Sequence, residues 1–263
     1  MRIALYVPSW PPGFVANGIV TYASHLVPAL RRLGHEVYVL APKLPAGYSD
    51  PYVIDLGDYS PERRIWDRIV SKLAPESGLF KAASAAIALA IVDLVKRRKI
   101  EVFEIEESFG WSLPTTRLKL LPVVVRLHGP WALYGKFFDS INRLPINLRR
   151  SEREGEGIRR ASFVTANCND TLEAVKTHYG LDLIKSCIIP TPLDAADDTA
   201  TWDVKTCDKN SFLFVGRFDK LKGADLVLRA FFKLASLNPR LRLTFVGPDN
   251  GVEDSDGKIW FFE

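Results

Sequence analysis

Apolar positions along the chain follow two rhythms. Short, nearly continuous runs rich in β-branched residues cover 3–7, 36–41, 102–106, 123–128, 163–167, 187–190, 212–215 and 241–246. Runs of this length and hydrophobicity predict parallel strands covered on both faces. Between them apolar residues recur at helical spacing over 20–33, 62–72, 79–98, 148–160, 171–179 and 224–237. Strand and helix alternate along the whole chain, which predicts a doubly wound α/β fold with a parallel sheet.

The rhythm breaks once. Residues 193–210 (LDAADDTATWDVKTCDKN) are polar, acidic and without period, so they are expected to form a linker. Residues 1–192 then make a complete first domain, and 211–263 begin afresh with one strand–helix–strand unit. A lone unit of that size buries too little to stand as a Rossmann-like domain. The chain is therefore expected to be cut within its second domain.

Composition narrows the class. Of 263 residues, 47% are hydrophobic and 25% charged, ordinary for a soluble globular protein. The longest apolar stretch without charge, 82–92, is stopped by Asp93 and is too short to span a bilayer. The N-terminus, MRIALYVPSWPP, reads as a first strand rather than a signal peptide, so a cytoplasmic location is expected. Cys168, Cys187 and Cys207 show no CxxC spacing, and His25, His35, His128 and His178 are scattered. Neither a disulfide framework nor a metal site is expected.

Charge is uneven. Residues 1–150 carry 20 Lys/Arg against 13 Asp/Glu, and 151–263 carry 15 against 18. Basic residues interleave with apolar ones over 62–72 and 136–160. These stretches read either as contacts for an anionic membrane surface or as solvated helix faces. No basic-plus-aromatic pattern for nucleic acid is present, so nucleic acid is not an expected partner.

Candidate chemistry gathers at the carboxyl ends of predicted strands, where open α/β sheets bind ligands. The strand at 212–215 ends in Gly216-Arg217, and Lys222-Gly223 stands just ahead of the next helix. Glycine permits close approach, the helix start offers unpaired amides, and two cations share the mouth. This combination describes a diphosphate site. The strand at 123–127 ends in His128-Gly129, which places an imidazole at the same kind of edge. Glu104 and Glu106 share a strand face, and Glu106 at the edge is the candidate acceptor contact, with Gly129. The first strand leads through a Pro/Gly-rich loop to Asn17-Gly18 and a helix. No G-x-G-x-x-G follows that strand, which counts against a nicotinamide-dependent oxidoreductase.

Several of these segments carry a resemblance. VGRFDKLKGADLVLRAF (215–231) resembles the VGR-x-x-x-x-KG signature of family 4 glycosyltransferases. PSWPPGFVANG (8–18) resembles that family's P-x-x-GG loop, with Asn17 for the first glycine, and GHEV (34–37) its helix-to-strand transition. FVTANCNDTLEAV (163–175) is similar to its V-S-E-A segment, with Cys168 for serine and expected to be buried. CIIPTPLD (187–194) is similar to its V-I-P-N-G-V-D turn, with Thr191 and Pro192 for Asn-Gly. VGP (246–248) resembles its V-G-x-G edge.

The resemblance implies a GT-B fold of two Rossmann-like domains and a retaining, metal-independent hexosyltransferase acting in polysaccharide or glycoconjugate assembly. It implies a nucleoside-diphosphate sugar, UDP- or GDP-linked, as donor, a saccharide or lipid-linked acceptor, and no cofactor. It also implies roles. Arg217 and Lys222 hold the diphosphate and neutralise the leaving group. Asn17, Gly18, Gly216 and Gly247 approach the donor, Asn17 through a left-handed turn, and His128 contacts the transferred sugar. The expected location is cytoplasmic, and the membrane reading of the basic stretches would place it at the inner face of the plasma membrane. Two other readings stay open at this point: a non-hydrolysing sugar-nucleotide epimerase of the same build, and a non-catalytic binding protein consistent with the departures at Asn17, Thr191 and Pro192.

Overall fold

The structure, a computed structural model, describes residues 1–15, 17–59, 75–135, 145–193, 202–253 and 258–260. The helix expected over 62–72, residues 194–201 of the linker and residues 136–144 of the basic stretch lie outside the described residues. Two compact units divide the chain, Met1–Asp194 and Ala195–Glu263.

In the first unit seven strands form one sheet: β1 (Arg2–Tyr6), β2 (Glu36–Ala41), β3 (Val53–Asp55), β4 (Val102–Glu106), β5 (Val123–Leu127), β6 (Phe163–Ala166) and β7 (Ser186–Ile188). Their order is β3-β2-β1-β4-β5-β6-β7 and every pair is parallel. The order reverses between β1 and β4, which opens a crevice at the carboxyl edge there.

Side-chain alternation sorts the two faces. Ala4, Tyr6, Leu40, Phe103, Ile105, Val125 and Leu127 point into one core. Helix α2 (Pro75–Arg98) covers that face with Ala86, Ile87, Ala90, Ile91 and Leu94, joined by Ile158 of α5 (Pro145–Arg160) and by Leu172 and Val175 of α6 (Asn169–Tyr179). Leu5, Val7, Val37, Val39 and Ala41 point the other way, against Val20, Ala23 and Val27 of α1 (Gly18–Arg32). Those three residues recur at i, i+3 and i+7, one stripe of a 3.6-residue helix. Each fully buried Leu, Ile or Phe contributes about 1.5–3 kcal/mol, so both faces are firmly seated. Arg31 and Arg32 end α1, where cations complement the helix dipole.

Two short helices lie between these elements, α3 (Leu113–Leu118) and α4 (Trp131–Tyr134). Neither these nor the three-residue β3 is legible in the hydrophobic pattern, because each is too short to show a period. Helix α5 passes close to α6. A Cβ built on Gly155 would stand 2.5 Å from Tyr179 Cε1, so only glycine lets the Tyr179 ring lie there.

The second unit pairs β8 (Ser211–Val215) with β9 (Arg242–Val246) in parallel, linked by α7 (Ala224–Leu237). The short strands β10 (Val252–Glu253) and β11 (Ile259–Trp260) pair antiparallel. Helix α7 has the bounds that its apolar period predicts.

Candidate active site

The carboxyl edge of the seven-stranded sheet holds a cluster of charged and aromatic side chains beside the β1/β4 reversal. His128 follows β5 directly, and its ring meets Tyr22 of α1 edge-on, with centroids 4.9 Å apart. The Tyr22 hydroxyl donates to Glu104 Oε1 at 2.7 Å. The Arg126 guanidinium lies 4.6 Å over the Tyr22 ring. The structure thus brings His128 beside the first turns of α1, which follow the Asn17-Gly18 loop.

Asn17 differs from expectation. Its backbone is extended, at φ −139°, and not left-handed. Its Oδ1 accepts from the Ile19 N–H at 2.8 Å, so asparagine here caps α1 by satisfying an amide that the helix leaves open. Gly18 is the first helical residue, with open space where a side chain would stand. Cys168 also differs: it is exposed rather than buried, and its thiol lies 3.3 Å from Thr171 Oγ1. That contact lowers the thiol below its ordinary range.

Burial governs the ionisation of the cluster. The His128 imidazole is pushed down to about 3, by burial first and by the Arg126 charge second. At neutral pH it is an uncharged ring with one N–H and one acceptor nitrogen, able to hydrogen-bond a hydroxyl but too weakly basic to hold a transferred proton. Glu106 is 3% exposed and accepts from Ser108 Oγ at 2.8 Å. Burial and the neighbouring Glu107 push it up to about 8, so at neutrality it is chiefly a carboxylic acid. Glu104 is raised by burial, opposed by Tyr22 and Arg126. Arg126 is only 1% exposed, and none of its three side-chain nitrogens has a hydrogen-bond partner among the described residues. Its compensation is the Tyr22 face and the nearby carboxylates, an arrangement that keeps the charge without directional bonds.

Glu107, one residue beyond the candidate Glu106, is the residue that touches the His128 segment. Its carboxylate accepts from the His128 N–H at 2.9 Å and the Gly129 N–H at 2.7 Å. Gly129 is therefore held from the protein side. Sequence reasoning also missed Tyr22, Arg126, Glu154 and Tyr179. A charge inside the apolar run VVVRL was the available signal for Arg126. Glu154 sits among alternating charges on a helix and reads there as a solvated face.

In the second unit Gly216, Arg217, Lys222 and Gly247 come together at the carboxyl edge of β8 and β9. Gly216 N–H donates to Val246 O at 2.9 Å. A Cβ on Gly247 would run into the Gly216 carbonyl, so the close approach of the two strand ends by itself requires glycine there. Arg217 Nε donates to Asp219 Oδ2 at 2.8 Å, while Asp219 Oδ1 accepts the Lys222 N–H at 2.9 Å. One carboxylate thus orients the arginine and closes the turn to the lysine, with the helix α7 starting two residues on. Asp219 is a further residue that the motif alone did not single out.

The basic stretch is partly internal. Arg150 stacks on Phe109 at 4.6 Å, and Arg153 on Phe80 at 3.9 Å. Arg159 and Arg160 pair with Glu156. The rest of the stretch, 136–144, lies outside the described residues. No helix among the described residues is long and apolar enough to cross a membrane.

The profile of Glycosyltransferase Family 4 matches residues 16–197. The chain belongs to that family. Solved structures agree on the architecture. Sucrose-phosphate synthase from Thermosynechococcus elongatus is 16% identical with a TM-score of 0.59, covering 94% of this chain and 70% of that one. The catalytic domain of starch synthase IV from Arabidopsis thaliana, bound to ADP and acarbose, is 12% identical with a TM-score of 0.56, covering 95% and 68%. A glycosyltransferase from Rickettsia africae gives 13%, 0.50, 94% and 68%. At these identities the likeness shows the fold, which is GT-B. Among the curated proteins no match is found. The chain is thus a glycosyltransferase of GT-B fold.

Proposed function

We propose that this glycosyltransferase moves a hexosyl unit, with retention, from a UDP- or GDP-linked donor to a saccharide or lipid-linked acceptor. The observation that carries this reading is the neutral imidazole of His128, set beside α1 at the reversal of strand order. A ring held uncharged suits hydrogen bonding to a sugar hydroxyl, and leaves the proton of the acceptor to another group. In the proposed step the bond between the anomeric carbon and the phosphate oxygen breaks, and its electron pair leaves with the diphosphate. The acceptor oxygen bonds to the anomeric carbon from the same face and gives its proton to the departing phosphate oxygen. Arg217 and Lys222 stabilise the charge that develops there, in place of a metal ion.

Asn17, Gly18, Gly216 and Gly247 stand on the donor side of this reading, and Glu106 and Gly129 on the acceptor side. As a largely protonated acid, Glu106 would donate to an acceptor oxygen. The reading places the enzyme in the cytoplasm, in polysaccharide or glycoconjugate assembly at the inner face of the plasma membrane. The test is turnover of UDP- and GDP-hexoses, with and without EDTA, by wild type and by the Arg217→Ala/Lys222→Ala double variant. Loss of one preorganised donor to a developing oxyanion costs on the order of 100- to 1000-fold, so the double variant should be essentially silent. Undiminished turnover by that variant refutes the phosphate grip, and inhibition by EDTA refutes metal independence.

A further inference from the structure

The segment from His128 to Ala132 links β5 to α4, and it is unusual in where its backbone donors go. It offers four N–H groups, since Pro130 has none. His128 and Gly129 donate to Glu107 at 2.9 and 2.7 Å, and Trp131 and Ala132 donate to Glu154 at 3.1 and 3.3 Å. The next two amides, of Leu133 and Tyr134, already bond back to the Pro130 carbonyl. Two carboxylates from two different elements therefore take every amide of the segment.

Both are buried, Glu107 at 1% exposure and Glu154 at none. Burial raises both: Glu154 stands at about 8, with the nearby Glu107 a second cause, while the His128 and Gly129 amides and the Arg126 charge oppose the rise at Glu107. A four-residue helix could be capped far more cheaply by a serine or aspartate at its own start, in solvent. Bringing two acids into one interior for four amides is a costly way to hold a loop. It makes sense where the loop's position matters more than its stability. Tyr179 fixes Glu154 in turn, its hydroxyl donating to Oε2 at 3.1 Å. On the side-chain end of His128, Tyr22 holds the ring edge-on.

We propose that Glu107 and Glu154 are positioning residues, a pair of buried acidic side chains that suspend the His128–Ala132 segment and so set where the imidazole stands. The proposal rests on the reading of His128 as the sugar contact. Neither acid touches substrate in it. The pair acts through the backbone alone, and Gln at either site, with one acceptor oxygen and one amide group, can keep only part of the set.

The test uses the full chain, labelled for NMR. Glu107→Gln should shift the His128 and Gly129 amides and spare Trp131 and Ala132, and Glu154→Gln the reverse. In both variants the His128 ring signals should move while those of His35 and His178 stay. With UDP-glucose and GDP-mannose as donor probes, kcat should fall on the order of 100-fold, as for a reacting group displaced by about an ångström, at a KM changed less than about twofold. An unmoved His128 ring, or kcat retained in both variants, overturns the proposal. Should the variants fail to fold, the wild type decides: slow solvent exchange of all four amides is expected, and fast exchange overturns the clamp. A wild type that turns over no nucleotide sugar defeats the transferase reading instead, and the ring and amide signals still judge the clamp.

Discussion

Replacing Gly155 by alanine places a methyl group where the Tyr179 ring already is. The new Cβ would stand 2.5 Å from Cε1 and 3.1 Å from Cγ, so ring or helix must move. Forcing a methyl into a packed site costs about 1–3 kcal/mol. A displaced ring also gives up the bonds from its hydroxyl to Glu154 Oε2 at 3.1 Å and to Ser151 O at 3.0 Å, each worth about 0.5–1.5 kcal/mol. Against this stands the helix propensity of alanine over glycine, about 1 kcal/mol in its favour. The sum favours destabilisation by about 1–5 kcal/mol. Equilibrium urea unfolding followed by circular dichroism measures it. In a Tyr179→Ala background the clash is gone, and the same Gly155→Ala change should stabilise by about 1 kcal/mol, a reversal of sign that a double-mutant cycle isolates. If Gly155→Ala stabilises the protein that still carries Tyr179, the packing of α5 against α6 described here is wrong.

Two smaller perturbations probe the cap and the imidazole. Asn17→Ala should cost about 1 kcal/mol, the worth of the lost cap, while Asn17→Gly should cost only a few tenths; thermal melting of the three proteins separates a capping role from a left-handed turn, for which glycine would stabilise. For His128 the folded pKa, about 3, lies below the ordinary 6.5, so its neutral form is the one the fold favours. The stability from this group is full above pH 6.5 and is lost as pH falls from there through 3. Urea midpoints of wild type and His128→Asn should therefore run parallel above pH 7 and converge in acid; parallel curves throughout would falsify the depressed imidazole.

Much of the fold was legible because it is local. A strand buried on both faces must be apolar throughout, and a helix laid on a sheet must repeat every 3.6 residues. So eight strands, β1, β2 and β4 to β9, and the long described helices showed in the pattern. Arg217 and Lys222 were legible for the same reason: strand, turn and helix start within ten residues place both at one edge. His128 was legible as a strand end. Sequence alone also placed Asn17 at the start of α1, but chose a left-handed turn where a cap is found, because asparagine suits both.

What only the tertiary structure decided are the contacts that span separate elements. Glu107 and Glu154 reach the His128–Ala132 amides from 21 to 23 positions away, and Tyr22 meets Glu104 from 82. No period or spacing encodes such a meeting, since it depends on how helices settle on the sheet. Burial followed the same route. The sequence presents Glu106 as an edge acid and Glu154 as one of a solvated row. The packed helices put both out of water, and desolvation then set their charge.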